Sequence, residues 1–471
     1  MIVLLIAVTL FGLLINYLLS NRDYMHPSVV FHLVFFVYEV VCLCGTSEYA
    51  ISLHIKTVVV LLIGFMAITC AHIWSKRCSI NNNRFEFRLL EIRIPKLYLR
   101  TLVFLQLVSI VFFFIYLKRL AEAYGQLYGT TPDTIGEMIK LYDTLTKFWG
   151  EIFTKLAVPI PMAYRITNPI CAGAEYIVLY VMVNNYLLKK TKINTWEILI
   201  LILMCTRIVM NGSRSPLLRI FTFVFVLVYI LNYRRGRIRR GDLRFLGKLI
   251  LAAAGFGVAM FLVLILMGRM ASFTGIGDHL FVYLGAPIVN LDTVIETNSL
   301  KLFGPIDISA PLGAQTFKNL YNYAGKIFNI EQFRSIKSVG RFMFSNNGKE
   351  IGNVFTMFYP ILYDFGFVCV FPFSFIIGIF YCKTYKKVLH RSNSNKIDFR
   401  LMIYAYLFND LVMSAFSNRF YATIFDAPFI KFIIVAWILD FFLLQRRIVL
   451  FKKVYPIERC GVFQYDGIRS L

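Results

Sequence analysis

Three arginines fall within thirteen residues in the stretch CTRIVMNGSRSPLLR: Arg207, Arg214 and Arg219. A guanidinium is planar, stays charged and grips phosphate oxygens through two parallel N–H bonds, so such a cluster suits an anion, and a diphosphate above all. Snorkelling to lipid headgroups is the plainer use of the same residues. Arg207 and Arg214 share a face if one helix runs through both, whereas NGSRSP carries the Gly, Ser and Pro of a tight turn. Arg269, Arg341 in SVGRFMF and Arg419 in SNRFYATIFDAPF would enlarge the anion site if the chain brings them to the same side. A second stretch, NVFTMFYPILYDFGF (353–367), sets Asn353, Thr356, Pro360 and Asp364 at spacings of three and four, one face of a helix with Pro360 bending it. Asp364 is the candidate general base, ahead of Asp278 and His279. Helix capping by Asn353 and Asp364 on either side of Pro360 is the competing reading, and the two are compatible.

The elements that must hold these groups are apolar. Of 471 residues, 58% are hydrophobic and 16% charged, more apolar surface than a soluble domain of this length can cover. Continuous apolar runs long enough to cross a bilayer as helices recur at 1–19, 29–45, 57–75, 101–117, 168–187, 196–211, 216–232, 249–267, 361–382, 401–416 and 429–444. The runs do not alternate, which excludes a β-barrel. The reading is an all-α polytopic membrane protein with about eleven transmembrane helices, a single integral membrane domain over 1–471. The first run starts at Met1 without a basic leader and is expected to be a span rather than a cleaved signal.

The formal charge of +24 does not point to nucleic acid, because the basic residues lie between spans and form no compact domain. Segment 76–100 has seven Lys/Arg against two acids, 233–248 seven against one, 383–400 six against one, the tail 445–471 six against two, and KKTK at 189–192 adds three. With eleven spans all five fall on one side, so the positive-inside rule puts the N-terminus outside and the C-terminus in the cytoplasm. Two long connections, 118–167 and 268–360, then lie outside. In the first, Ile135, Met138, Leu141, Leu145 and Phe148 keep a helical period and predict an amphipathic helix on the outer surface. In the second, 279–295 is apolar but interrupted by Gly-Ala-Pro, and reads as an interfacial or re-entrant helix.

Inside the spans, Glu39, Glu175, Asn409 and Asp410 belong either to a polar channel or to interhelical hydrogen bonds, and Asp440 to an interface. Tyr283, Tyr321 and Tyr323 in the outer loops are candidates for stacking on sugar faces. Nine cysteines are scattered and six histidines dispersed, without zinc spacing or a disulfide framework.

NGSRSP after a mid-chain span, a long outer loop late in the chain, and GNVFTMFYPILYDFGF leading into the next span together resemble bacterial oligosaccharide repeat-unit polymerases, the O-antigen polymerases of Wzy type. The resemblance implies a GT-C-like, metal-independent glycosyltransferase of the bacterial inner membrane without a cofactor. It would join repeat units carried on undecaprenyl diphosphate into O-antigen or capsule at the outer face. It also implies a flippase and a chain-length regulator as partner proteins, beside membrane lipid. The family motifs map onto Arg214 and onto Asn353, Tyr363, Asp364 and Gly366. The diphosphate leaving group suits stabilisation by the outer arginines. An O-antigen ligase shares the donor, and a flippase for lipid-linked oligosaccharide would also want buried arginines; a scaffold would leave the cluster without a purpose.

Overall fold

The computed structural model describes residues 1–77, 91–147, 149–188, 194–213, 215–266, 276–297, 301–334, 336, 340–389 and 397–441. Helices dominate, because an apolar chain with few polar partners satisfies its backbone best within each segment. Among the described residues, seven helices are long and apolar enough to cross a membrane: α1 (Ile2–Leu19), α2 (Pro27–Cys44), α3 (Ile55–Arg77), α4 (Lys96–Tyr128), α7 (Met162–Leu188), α9 (Ser215–Arg234) and the helix Gly277–Thr297. The other expected spans are helical too, in α8 (Thr195–Met210), α10 (Leu243–Leu266), α16 (Val370–Leu389), α17 (Phe399–Val412) and α19 (Ala427–Leu439). The chain is thus an all-α, membrane-embedded protein. α3 packs on α16, α1 on α2, α9 on α17, α4 on α7 and α8, and α7 on α19.

Local signals set the ends of several helices. Pro27 opens α2 after the His26 cap, Asn194 and Glu197 form a capping box on α8, and left-handed Gly129 stops α4. The turn in NGSRSP is real: α8 ends at Met210 and α9 starts at Ser215, with Gly212 at φ +67°. The helix of Arg207 thus stops at Met210, and Arg214 lies outside the described residues.

One end of the bundle brings together described residues of the basic segments 76–100, 233–248 and 383–400. Arg234 donates to Asp398 (2.7 Å) and to the Val388 carbonyl (2.6 Å), joining the ends of α9 and α16 to the start of α17. Arg237 reaches the Leu187 carbonyl at the end of α7, and Asn185 exchanges bonds with the Ile92 backbone just before α4.

The opposite end carries the long connections. α4 continues well past the expected span, and α5 (Ile135–Lys147) and α6 (Gly150–Leu156) fold back on its extension, with Leu141, Leu145 and Leu156 packed against Leu120 and Ala121. The amphipathic helix is present, its face covered by α4; Phe148 lies outside the described residues. The Gly-Ala-Pro sequence does not break the later helix. α11 (Ile276–Leu280), a π-turn (Phe281–Gly285) and α12 (Ala286–Thr297) run on without interruption, the wide turn absorbing the missing N–H of Pro287. Both ends of this helix meet the same loop: Asp278 accepts from Tyr49 (2.5 Å), and Asp292 accepts from His54 N (2.9 Å) and Thr57 (2.6 Å). It therefore lies across the end of the α2–α3 pair, as an interfacial helix would. A hairpin of β1 (Met343–Phe344) and β2 (Glu350–Gly352) covers the same loop through Asn346 and Asn347.

Two expectations for 353–382 are corrected. Asn353 and Thr356 precede α15 (Phe358–Phe365), so they form no helical stripe with Asp364, and Pro360 sits in the first turn of α15, where a missing N–H leaves no gap and bends nothing. The apolar run 361–382 is also not one span. Gly366 (φ +82°) separates α15 from α16, and a Cβ there would stand 2.8 Å from the Lys301 carbonyl oxygen. That close approach lets strand-like bonds form, Gly304 N to Phe365 O (3.0 Å) and Phe367 N to Lys301 O (2.9 Å).

Candidate functional site

A cavity of about 370 Å³ opens at the loop-bearing end, between the start of α13 (Lys318–Phe328), the segment 353–360 and the connection from α17 to α18 (Arg419–Ile424). Its polar walls are Lys318 and Asn319 on α13, Asn353, and Ser417, Asn418 and Arg419; Phe355, Tyr359 and Phe416 supply aromatic faces. Three ties hold the walls. Asn319 Nδ2 donates to the Ala422 carbonyl (2.9 Å), Met357 N to the Ser414 carbonyl (2.8 Å), and Asn290 Nδ2 on α12 to the Val354 carbonyl (2.9 Å). Behind them Phe317 packs against Phe365, Tyr421 and Phe425.

Arg419 is the guanidinium of this cavity. It spends Nε on Ser417 Oγ (3.0 Å), and it also lines a small void below, beside Asp410. Asn418, next to it, is buried at both amide atoms with neither hydrogen-bonded. A buried amide without partners is costly unless something else occupies its bonds. Lys318 is the second cation, and burial pushes its amine below the ordinary lysine range. Asp426, bonded to Tyr323 (3.1 Å) just outside, is pushed up by burial. Among the described residues, no carboxylate lines the cavity.

The other expected site residues separate. Arg207 is buried in an ion pair with Glu175 (2.9 Å), bonds Asn168 Oδ1 (2.9 Å), and Gln106 donates to the second Glu175 oxygen (2.6 Å). This network ties α4, α7 and α8 together with only Arg207 Nε and Gln106 Oε1 left unbonded; Glu175 serves in it as an interhelical partner, and Arg207 does not line the cavity. Arg219 pairs with Asp410 (2.8 Å), donates to Tyr406 (2.7 Å) and stacks over its ring at 4.5 Å. Its charge is likewise spent inside the bundle. Arg341 is exposed, one residue from Gly340 on the cavity rim. Tyr363 is half-buried, packs edge-on to Tyr359 and gives its carbonyl to Ile306 N (2.8 Å). Arg214 and Arg269 lie outside the described residues.

Asp364 does not face the cavity. Its oxygens accept the backbone N–H groups of Gln315 (3.0 Å) and Thr316 (2.6 Å), so the carboxylate fastens the loop that carries two cavity-lining residues. It meets backbone donors of the 315–316 loop rather than capping its own helix. Sequence reasoning missed Lys318, Asn319 and Asn418; only the last, adjacent to Arg419, carried a signal. Among the described residues no three His, Cys, Asp or Glu side chains converge on a metal-binding geometry.

No family model, curated protein or solved structure matches this chain.

Proposed function

We propose that this protein is a lipid-linked oligosaccharide polymerase with the cavity at Arg419 as its donor site. The observation that carries the reading is the pairing of an incompletely bonded guanidinium with the unbonded amide of Asn418 at the floor of an open cavity. Such groups suit a diphosphate flanked by sugars: Arg419 and Lys318 oppose its charge, the amides of Asn319, Asn353 and Asn418 meet hydroxyls, and Phe355, Tyr359 and Phe416 offer flat faces to the rings. When the glycosidic bond to the diphosphate breaks, negative charge grows on the leaving oxygen, and cations fixed beforehand lower that barrier without reorganising. Asp364 acts by positioning the 315–316 loop. The same reading takes eleven crossings, a GT-C-like architecture, an N-terminus outside and a bacterial inner membrane. The meeting of described residues of the basic segments 76–100, 233–248 and 383–400 at the end opposite the cavity supports it.

The surface glycan of a deletion strain tests the activity. Single repeat units on lipid A core or on undecaprenyl diphosphate are expected. Long chains stranded on the carrier lipid would make the protein a ligase, and repeat units held on the cytoplasmic side a flippase.

A further inference from the structure

A second cavity, of about 380 Å³, lies at the basic end of the bundle, between the ends of α1, α3 and α16, the α1–α2 loop and Arg240. It is remote from the first: α16 follows the segment that walls the outer cavity, and Tyr385 at its far end lines this one, roughly 22 Å of helix from Val370. Asp23 is the one carboxylate among the described residues of its wall, and it is occupied. Tyr229 and Tyr385 each donate to it at 2.8 Å and Met25 N at 3.1 Å. Arg240 Nε stands 3.8 Å from Asp23, an ion pair too long for a hydrogen bond, and this buried nitrogen makes none. Lys76 has no carboxylate partner among the described residues, and Lys386 completes the cationic rim. Two histidine rings, His26 and His72, stack at 3.9 Å and also line the wall. His26 Nδ1 accepts from Ser28, which leaves its Nε2 carrying the proton and able to donate.

We infer that this cavity binds a phosphate group, either on a lipid headgroup or free in solution. Two cations, Arg240 and Lys76, face one carboxylate that already takes three neutral donors, and Arg240 Nε makes no hydrogen bond in a walled space with room for a phosphate and its substituents. A surface that only obeyed the positive-inside bias would present its lysines and arginines to water rather than around a walled cavity.

The test uses the purified full-length protein in detergent, with its thermal unfolding midpoint read against added phosphatidic acid, phosphatidylcholine or inorganic phosphate. A rise of several degrees with phosphatidic acid but not phosphatidylcholine identifies a lipid-borne phosphate; a rise with inorganic phosphate alone identifies a soluble one. Arg240→Gln with Lys76→Gln should abolish either rise, Arg240→Lys should keep part of it, and Lys96→Gln, at the same end of the bundle, should keep all of it. If neither phosphate source shifts the midpoint, or the double variant responds as wild type does, the inference fails. The outcome does not depend on polymerase activity, because no glycan is measured.

Discussion

Arg207 and Arg419 were equivalent on paper, two cations expected at the outer side of an apolar chain, and the fold uses them in opposite ways. Arg207 is sealed between three helices, its charge cancelled by Glu175 and its position fixed by Asn168. Arg419 ends at a cavity, with one bond to a serine and an unbonded asparagine amide beside it. Arg219 falls with the first, since Asp410 and Tyr406 claim it completely enough to hold α9 on α17. Arginine clustering in sequence therefore mixes two populations, one that fastens helices and one left available to a ligand. What separates them is direct pairing with a carboxylate: Glu175 takes Arg207 and Asp410 takes Arg219, which leaves Arg419 beside an Asp410 already engaged.

The largest expected effect breaks the comparison on the ligand side. Arg419→Ala should stop polymer formation while the protein still inserts and accumulates at near wild-type level, and Arg419→Lys should rescue poorly because an ammonium cannot bind bidentately. Glycan chain length in a complemented deletion strain measures this. Normal long chains from the alanine variant would remove Arg419 from the site.

The fastening population should respond through stability. Arg207→Ala leaves Glu175 charged or newly protonated among apolar helices, a loss of about 3–5 kcal/mol for a buried pair broken on one side. Removing both charges with Arg207→Leu and Glu175→Leu should recover most of it, since the pair itself contributes little beyond its apolar replacement. Thermal unfolding in detergent reads both. A single variant as stable as wild type would mean that Arg207 is not a fastener.

These partners explain which parts were legible. Apolar continuity announced the helices that pack the bundle, because it is a local sum. Glu175 lies 32 residues from Arg207 and Asp410 lies 191 from Arg219, so no window of sequence contains either pair. Gly366 was hidden for a different reason. An uninterrupted apolar run does not reveal that one glycine inside it must take positive φ to let the 301–306 backbone pass. The polar stripe failed because spacings of three and four arise by chance where few residues are polar, and 353–357 is extended and turn-like chain rather than helix.

Gly366→Ala should accordingly act at a distance from the cavity. The alanine would strain a left-handed position and press on the Lys301 carbonyl, a cost of about 1–3 kcal/mol. Because residues 301–316 lead directly into the cavity wall, chains should shorten along with the drop in unfolding midpoint. Unchanged chain length with a lowered midpoint would separate the loop from the site.

The smallest effect is expected at Asp364, where the two readings of a single carboxylate diverge. As a latch, it needs an acceptor facing Gln315 N and Thr316 N, and the side-chain amide of Asp364→Asn would still supply one oxygen for the shorter bond. Asp364→Asn should therefore cost about 1 kcal/mol and leave chains close to wild-type length. Asp364→Ala removes every acceptor, frees the loop and should lower both the midpoint and the chain length, with the asparagine substitution restoring each. A base behaves differently. An amide cannot take a proton from an acceptor hydroxyl, so Asp364→Asn would abolish extension at nearly undisturbed stability while lipid-linked repeat unit still bound. Measuring unfolding midpoint, binding of lipid-linked repeat unit and glycan length on the same two variants decides between them. The carboxylate's two backbone partners, and its absence from the cavity wall, favour the latch.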